Sequence, residues 1–175
     1  MKRYVTYDAK KQNRSLKDER RAGGFRCAHC REWVVINEFM GTANRNHCNR
    51  CLWSKHVDAK KGDRMAVCRG GMQPIGLTFK HEGYGKVGEL MLVHQCVQCA
   101  KISINRIASD DDDERIVVLF HNSLTLPVVT KKQLTNQRII LLDETDENEL
   151  RRQLFGDSGA KNAGHGDYNK DGRNN

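Results

Sequence analysis

The chain has 175 residues, 38% of them apolar, and carries a formal charge of +8 at pH 7. Ordinary globular domains are about 45–50% apolar, so a self-sufficient hydrophobic core is not expected and some other staple is needed. The basic opening Met1-Lys2-Arg3-Tyr4-Val5-Thr6-Tyr7-Asp8 has no apolar run behind it, and no stretch nears the ~20 apolar residues of a membrane span, which argues against a secretory signal or a membrane protein.

In chain order, residues 1–24 are polar and basic and end in Gly23-Gly24. They read as a mobile arm with a transient helix over residues 15–21. Residues 1–26 hold nine Lys or Arg against three acids, and residues 27–109 twelve against six. The first cysteine unit runs from Phe25 to about Asp58. Lys60-Lys61-Gly62-Asp63-Arg64 is a hydrophilic connector with a turn at its glycine. A glycine-rich second unit follows to about Ile107, with short strands expected over residues 90–93 and 101–104.

Beyond it the charge reverses: residues 110–155 hold six Lys or Arg against ten acids. Ser109 could cap a helix whose first turn is Asp110-Asp111-Asp112-Asp113, but the run Ile116-Val117-Val118-Leu119-Phe120 equally allows a buried strand. A firmer helix is expected over residues 146–156, with acids first, basics last and Gly156 at its end. Residues 156–175 are mostly Gly, Asn, Asp and Lys and read as a disordered tail. The resulting division is 1–24, 25–111, 112–155 and 156–175.

Chemistry concentrates in the seven cysteines. In a cytoplasmic chain, paired cysteines are more often metal ligands than disulfides, and an odd number cannot all be paired. Cys27-Ala28-His29-Cys30 and Cys48-Asn49-Arg50-Cys51 are separated by seventeen residues, a spacing that predicts a four-thiolate zinc site. His29 and His47, beside the ligands, are read as packing around the site or lying at the surface, and Asn49, Arg50 and the knuckle amides as donors to its sulfurs. Cys68, Cys96 and Cys99 form a partial second set, with Gly71 where a fourth cysteine would fall. A closed site wants four ligands. His94, within two residues of Cys96, is the first choice for the fourth, with His81 and His121 next. Two zinc ions are therefore expected. The fold class that follows is small α+β, zinc-stapled, with tandem treble-clef or zinc-ribbon-like knuckles. A helix after Cys51, with Trp53 and Val57 one turn apart, is preferred over the strand of a plain ribbon.

The string Arg45-Asn46-His47-Cys48-Asn49-Arg50-Cys51-Leu52-Trp53-Ser54-Lys55-His56-Val57-Asp58 resembles the RNHCP domain family of bacterial proteins. The likeness continues through Gly62-Asp63-Arg64, Cys68, Gly71-Met72-Gln73-Pro74-Ile75, His94-Gln95-Cys96-Val97-Gln98-Cys99 and Asn105-Arg106-Ile107-Ala108-Ser109-Asp110-Asp111, covering about residues 25–111. Asn49 stands where the family has proline. The resemblance implies a zinc-ribbon-like domain in a bacterial cytoplasm and places His94 in the knuckle pattern. It implies no mechanism, because the family has no established activity.

Basic residues around a rigid zinc scaffold suit phosphate backbones. The leading functional expectation is nucleic-acid binding, with RNA or a ribosome-associated site favoured, through Arg14, Lys17, Arg20, Arg21, Arg45, Arg50 and Lys55, with Trp53 or His56 available for stacking. The alternatives are a protein–protein adaptor, docking through the acidic segment and its β-branched residues, and a His-metal nuclease. The nuclease reading rests on Asn46-His47 beside a metal, or on Asp110-Asp111-Asp112-Asp113 as magnesium ligands.

Overall fold

The computed structural model describes residues 18, 21–42, 45–60, 62–81 and 87–157. Most of the basic arm, with Arg14, Lys17 and Arg20, lies outside the described residues, as does the tail from 158 onward. Among the described residues there are two antiparallel sheets. The smaller pairs β1 (Gly24–Arg26) with β2 (Trp33–Val35), and the first cysteine knuckle is the turn between them. The larger is a meander in the order β3 (Ser54–Lys55), β4 (Gly71–His81), β5 (Val87–Cys96), β6 (Ile102–Arg106). The strands expected over residues 90–93 and 101–104 are there as β5 and β6. β5 is longer than the expectation because it pairs along its length with β4, while β6 pairs with it only from Met91 to Gln95.

Strand alternation buries both faces of β5. Leu90 and Leu92 point to one side and Val93 to the other. On the first side lie α1 (Asp113–Leu124) and α3 (Glu147–Phe155), whose Ile116, Leu119, Phe120 and Leu150 close over Leu77, Leu90 and Leu92. On the second side, Leu134 of α2 (Val128–Asn136) and Ile139 cover Ile75, Val93 and Ile102. A shift in register between Pro74 and Gly76 lets Ile75 and Leu77 serve opposite faces, although they are two residues apart. Residues 112–155 are thus the other half of the core. Of their β-branched residues, Ile116 and Ile139 are buried, while Val118, Val128, Val129 and Ile140 are exposed.

The run after Asp113 is a helix rather than a strand, because its four buried residues, Ile116, Leu119, Phe120 and Ser123, recur at helical spacing. Its cap is Asp112, which accepts from the Arg115 amide at 3.0 Å; Ser109, the expected cap, instead donates to the carbonyl of Phe39. α3 ends as expected at Gly156, whose φ of 73° suits a glycine. α2 escapes sequence reading: it opens on Val128-Val129-Thr130, poor helix formers, and only the fixed φ of Pro127 marks its start. The helix preferred after Cys51 is corrected. Ser54 and Lys55 form β3 and pair with Met72 and Gly71, which makes the unit ribbon-like within the expected small α+β class. Among the described residues no helix is long and apolar enough to cross a membrane.

Phe120 has no exposed surface and belongs to the larger core cluster. Phe120→Ala is expected to cost about 3–5 kcal/mol in urea unfolding, whereas Val118→Ala, on the exposed face of the same helix, shifts stability by less than about 1 kcal/mol.

Candidate metal centres

The three complete knuckles share one backbone design. Arg31, Leu52 and Ala100, each directly after the second cysteine, have φ of 68°, 61° and 57°. Their amides donate back to Cys27, Cys48 and Cys96 at 3.1, 2.9 and 2.9 Å. The amides of Cys27, Cys48 and Cys96 in turn reach the carbonyls of Glu32, Trp53 and Lys101. This left-handed closure swings the chain back and aims both thiols inward. Cys68 belongs to the same scheme in truncated form, with Arg69 after it at φ 52° and no second cysteine.

Cys27, Cys30, Cys48 and Cys51 bring their sulfurs within 4.8 Å of one another. Cys27 to Cys51 and Cys30 to Cys48 are both 3.6 Å. A disulfide needs about 2.05 Å, whereas a tetrahedral ion with bonds of about 2.3 Å sets its sulfurs about 3.8 Å apart. The donors therefore fit a shared metal. The Cys51 thiol lowers the Cys48 pKa by hydrogen bonding and is itself raised by that neighbour; the amides of Cys51 and Arg50 further favour the Cys48 thiolate against its burial.

The second cluster is Cys68, Cys96, Cys99 and His56, with ligand atoms again within 4.8 Å. Cys68 and Cys96 sulfurs are 3.6 Å apart, and His56 Nδ1 is 3.4 Å from Cys99 Sγ. Burial raises the Cys96 thiol, but the amides of Cys99 and Gln98 outweigh it and lower the pKa overall. The histidine expected here was His94, with His81 and His121 next, and the structure places none of them in the cluster. His94 is fully buried and both ring nitrogens are occupied: Nε2 donates to the Leu52 carbonyl at 2.7 Å and Nδ1 accepts from Asn105 Nδ2 at 2.9 Å. Burial pushes its pKa down to about 4, in keeping with a neutral ring that donates once and accepts once. His81 is exposed at the far end of β4, and exposed His121 faces Glu147. His56 arrives because β3 pairs with the start of β4, so its amide meets the Gly70 carbonyl at 2.8 Å, next to Cys68. Eleven residues separate His56 from Cys68, and no knuckle spacing announces that pair.

Leading into the Cys48 knuckle is a buried polar network. Arg45, 2% exposed, donates to Asp110 and Asp111 at 2.7 Å each. Asp111 also accepts from His47 Nε2 at 2.7 Å and from the Ala108 amide at 2.8 Å. Asn46 donates to Asn105, which donates to His94, which donates to the Leu52 carbonyl. The Arg45 guanidinium holds the Asp110 carboxyl below the usual carboxylate range. Three consecutive side chains, Arg45, Asn46 and His47, thus tie the approach to the Cys48 knuckle to β6 and the start of α1.

A family model described as the RNHCP domain matches residues 22–117, more than half the chain. The chain belongs to the RNHCP domain family. No curated protein and no solved structure matches it. In this RNHCP protein the motif is bipartite: cysteine supplies a candidate metal donor, while arginine, asparagine and histidine build the network behind it.

The remaining expected residues divide sharply. Arg45, expected to bind nucleic acid, is corrected, since its guanidinium is enclosed and neutralised by two aspartates. His56 and Trp53 are not open platforms: His56 sits in the second cluster, and one face of Trp53 is covered by His29, stacked at 4.2 Å and 4°. Arg21 and Arg50 are exposed, and Lys55 is half-buried. His47 is 1% exposed and held by Asp111. Asp110 and Asp111 serve Arg45 and Asp112 caps α1, so the acid run is occupied structurally. Arg45→Met leaves the Asp111 carboxylate buried without its main cation and is expected to cost about 3–5 kcal/mol in urea unfolding; Arg50→Met, at an exposed pair with Glu32, costs less than about 1 kcal/mol.

Proposed function

We propose that each cluster holds one structural Zn²⁺ and that the chain is a zinc-ordered nucleic-acid-binding module, with RNA the favoured ligand, working in a reducing cytoplasm. The observation that carries the metal reading is the pair of four-donor clusters. Thiolates with at most one imidazole suit zinc among the common divalent ions. Four protein donors complete a tetrahedral ion, so its contribution is a crosslink: β1–β2 to the Cys48 knuckle at the first centre, and the β3–β4 junction to the β5–β6 turn at the second. A core this thin gains from such staples.

Support for the nucleic-acid reading comes from what the first centre displays. Arg26, Arg31 and Arg50 are exposed on and beside its two turns. Arg50 is countered by Glu32 at 3.1 Å, with both side chains at least half exposed. Such a surface pair is worth little and can exchange for a phosphate.

Purified protein is expected to carry two zinc ions per chain by elemental analysis. His56→Ala and Cys68→Ser each lose one, and His94→Gln retains both; one zinc in His94→Gln with two in His56→Ala would overturn the assignment. RNA affinity is expected to fall linearly with salt on logarithmic axes, and Arg50→Gln and Lys55→Gln should each reduce the slope by about one. Failure of RNA and DNA pools to bind at low salt would remove the nucleic-acid reading and leave the zinc sites standing.

A further inference from the structure

The stacked pair His29–Trp53 occupies an unusual place. His29 is the third residue of the first knuckle, Trp53 lies between the second knuckle and β3, and their rings are parallel within 4° at 4.2 Å. Trp53 in turn seats against the start of β4, where a Cβ on Gly71 would lie 3.1 Å from Trp53 Cζ3. The indole is therefore half-buried and fixed, yet His29 is exposed. With one face of the imidazole on Trp53, the exposure of His29 belongs to its other face and edges. A rigid ring backed by a second aromatic and open on its outer side is a stacking platform, whereas an exposed histidine on a loose turn would not be.

The charge around it selects the occupant. The sulfurs of the two first-centre knuckles lie within 4.8 Å of one another and Arg50 reaches across to Glu32 at 3.1 Å, so the two turns lie side by side, with His29, Arg31 and Arg50 exposed on them as one rim. Arg26 is drawn across the same knuckle by its hydrogen bond to the Arg31 carbonyl at 2.9 Å. Among the described residues of these two turns the one acid is Glu32, paired with Arg50. Flat aromatic surface flanked by guanidinium groups matches a base with phosphates on either side. A duplex hides its base faces, and only an unpaired base can lie on the ring.

Resting on the nucleic-acid reading above, we infer that the outer face of His29 stacks an unpaired base of single-stranded RNA, with Arg26, Arg31 and Arg50 contacting the adjoining phosphates. Base-on-aromatic stacking tolerates any base, so the rim recognises single strands with little sequence preference, purines ahead of pyrimidines by stacking area.

The test is fluorescence anisotropy on the zinc-loaded full chain at low salt, using a labelled oligoadenylate, an abasic strand of equal length and the corresponding RNA duplex. Wild type is expected to bind oligoadenylate three- to tenfold more tightly than the abasic strand. His29→Val, which keeps Trp53 covered but offers no aromatic face, should abolish that difference without changing the salt slope, and His29→Tyr should preserve it. Elemental analysis shows whether each variant keeps both zinc ions. Photocrosslinking of a thiouridine-containing strand to wild type, mapped by mass spectrometry, gives an independent readout at residue 29. If His29→Val retains the preference for bases, if duplex binds as tightly as single strand, or if crosslinks fall elsewhere, the platform is refuted while RNA binding stands. Absence of binding to all three nucleic acids refutes both.

Discussion

A carboxylate with no exposed surface cannot stand alone in a protein interior, and Asp111 is such a group. Its two oxygens are taken by Arg45, His47 and the Ala108 amide. Those partners come from the segment approaching the second knuckle and from the turn that leads into α1. The ion pair therefore fixes where the helical layer begins relative to the first cysteine cluster. The neighbouring Asp112 then caps α1, and its amide is bound by the Asn49 carbonyl inside the knuckle itself. One short acidic run thereby joins a cysteine turn, a sheet edge and a helix N-terminus.

From that junction the remaining architecture follows. His94 is the second fixed point: it spans from β5 to the Leu52 carbonyl just after the knuckle and takes its other hydrogen bond from Asn105 on β6. The ring is spent on holding the first knuckle to the large sheet, which is why it does not serve the second cluster. β3 links the two centres, because it begins three residues after Cys51 and ends beside His56. The two clusters are therefore coupled through a pair of strand residues, and through the Trp53 ring that lies between His29 and the start of β4.

Placed on this frame, the exposed cations gain a direction. Arg45 looked like one more basic residue in a basic half, yet it is neutralised and enclosed, while Arg26, Arg31 and Arg50 reach solvent from the turns that the metal centre would hold still. Rigidity of the turns matters because side chains presented from ordered backbone lose less freedom on binding. The same turns carry His29 with a second ring behind it.

The first cluster was legible in full, since a C-x2-C turn is a local object whose closure requires nothing beyond its own six residues. The α3 helix and its glycine stop were legible for the same reason. What sequence could not reveal were contacts made by strand pairing and by burial. His56 joins Cys68 because β3 lies against β4, and the eleven residues between them carry no period that would betray it. His94 was preferred for its nearness to Cys96, but residues two apart on a strand are about 6–7 Å apart, and burial committed that ring to the core. Arg45 was exposed by composition and buried by fold. Sequence by itself determined the cysteine donors, the knuckles and the need for a staple, all set by local geometry and composition. Only the tertiary structure decided which histidine completes the second centre and which arginines face solvent, because both depend on which distant segments share a dry interior.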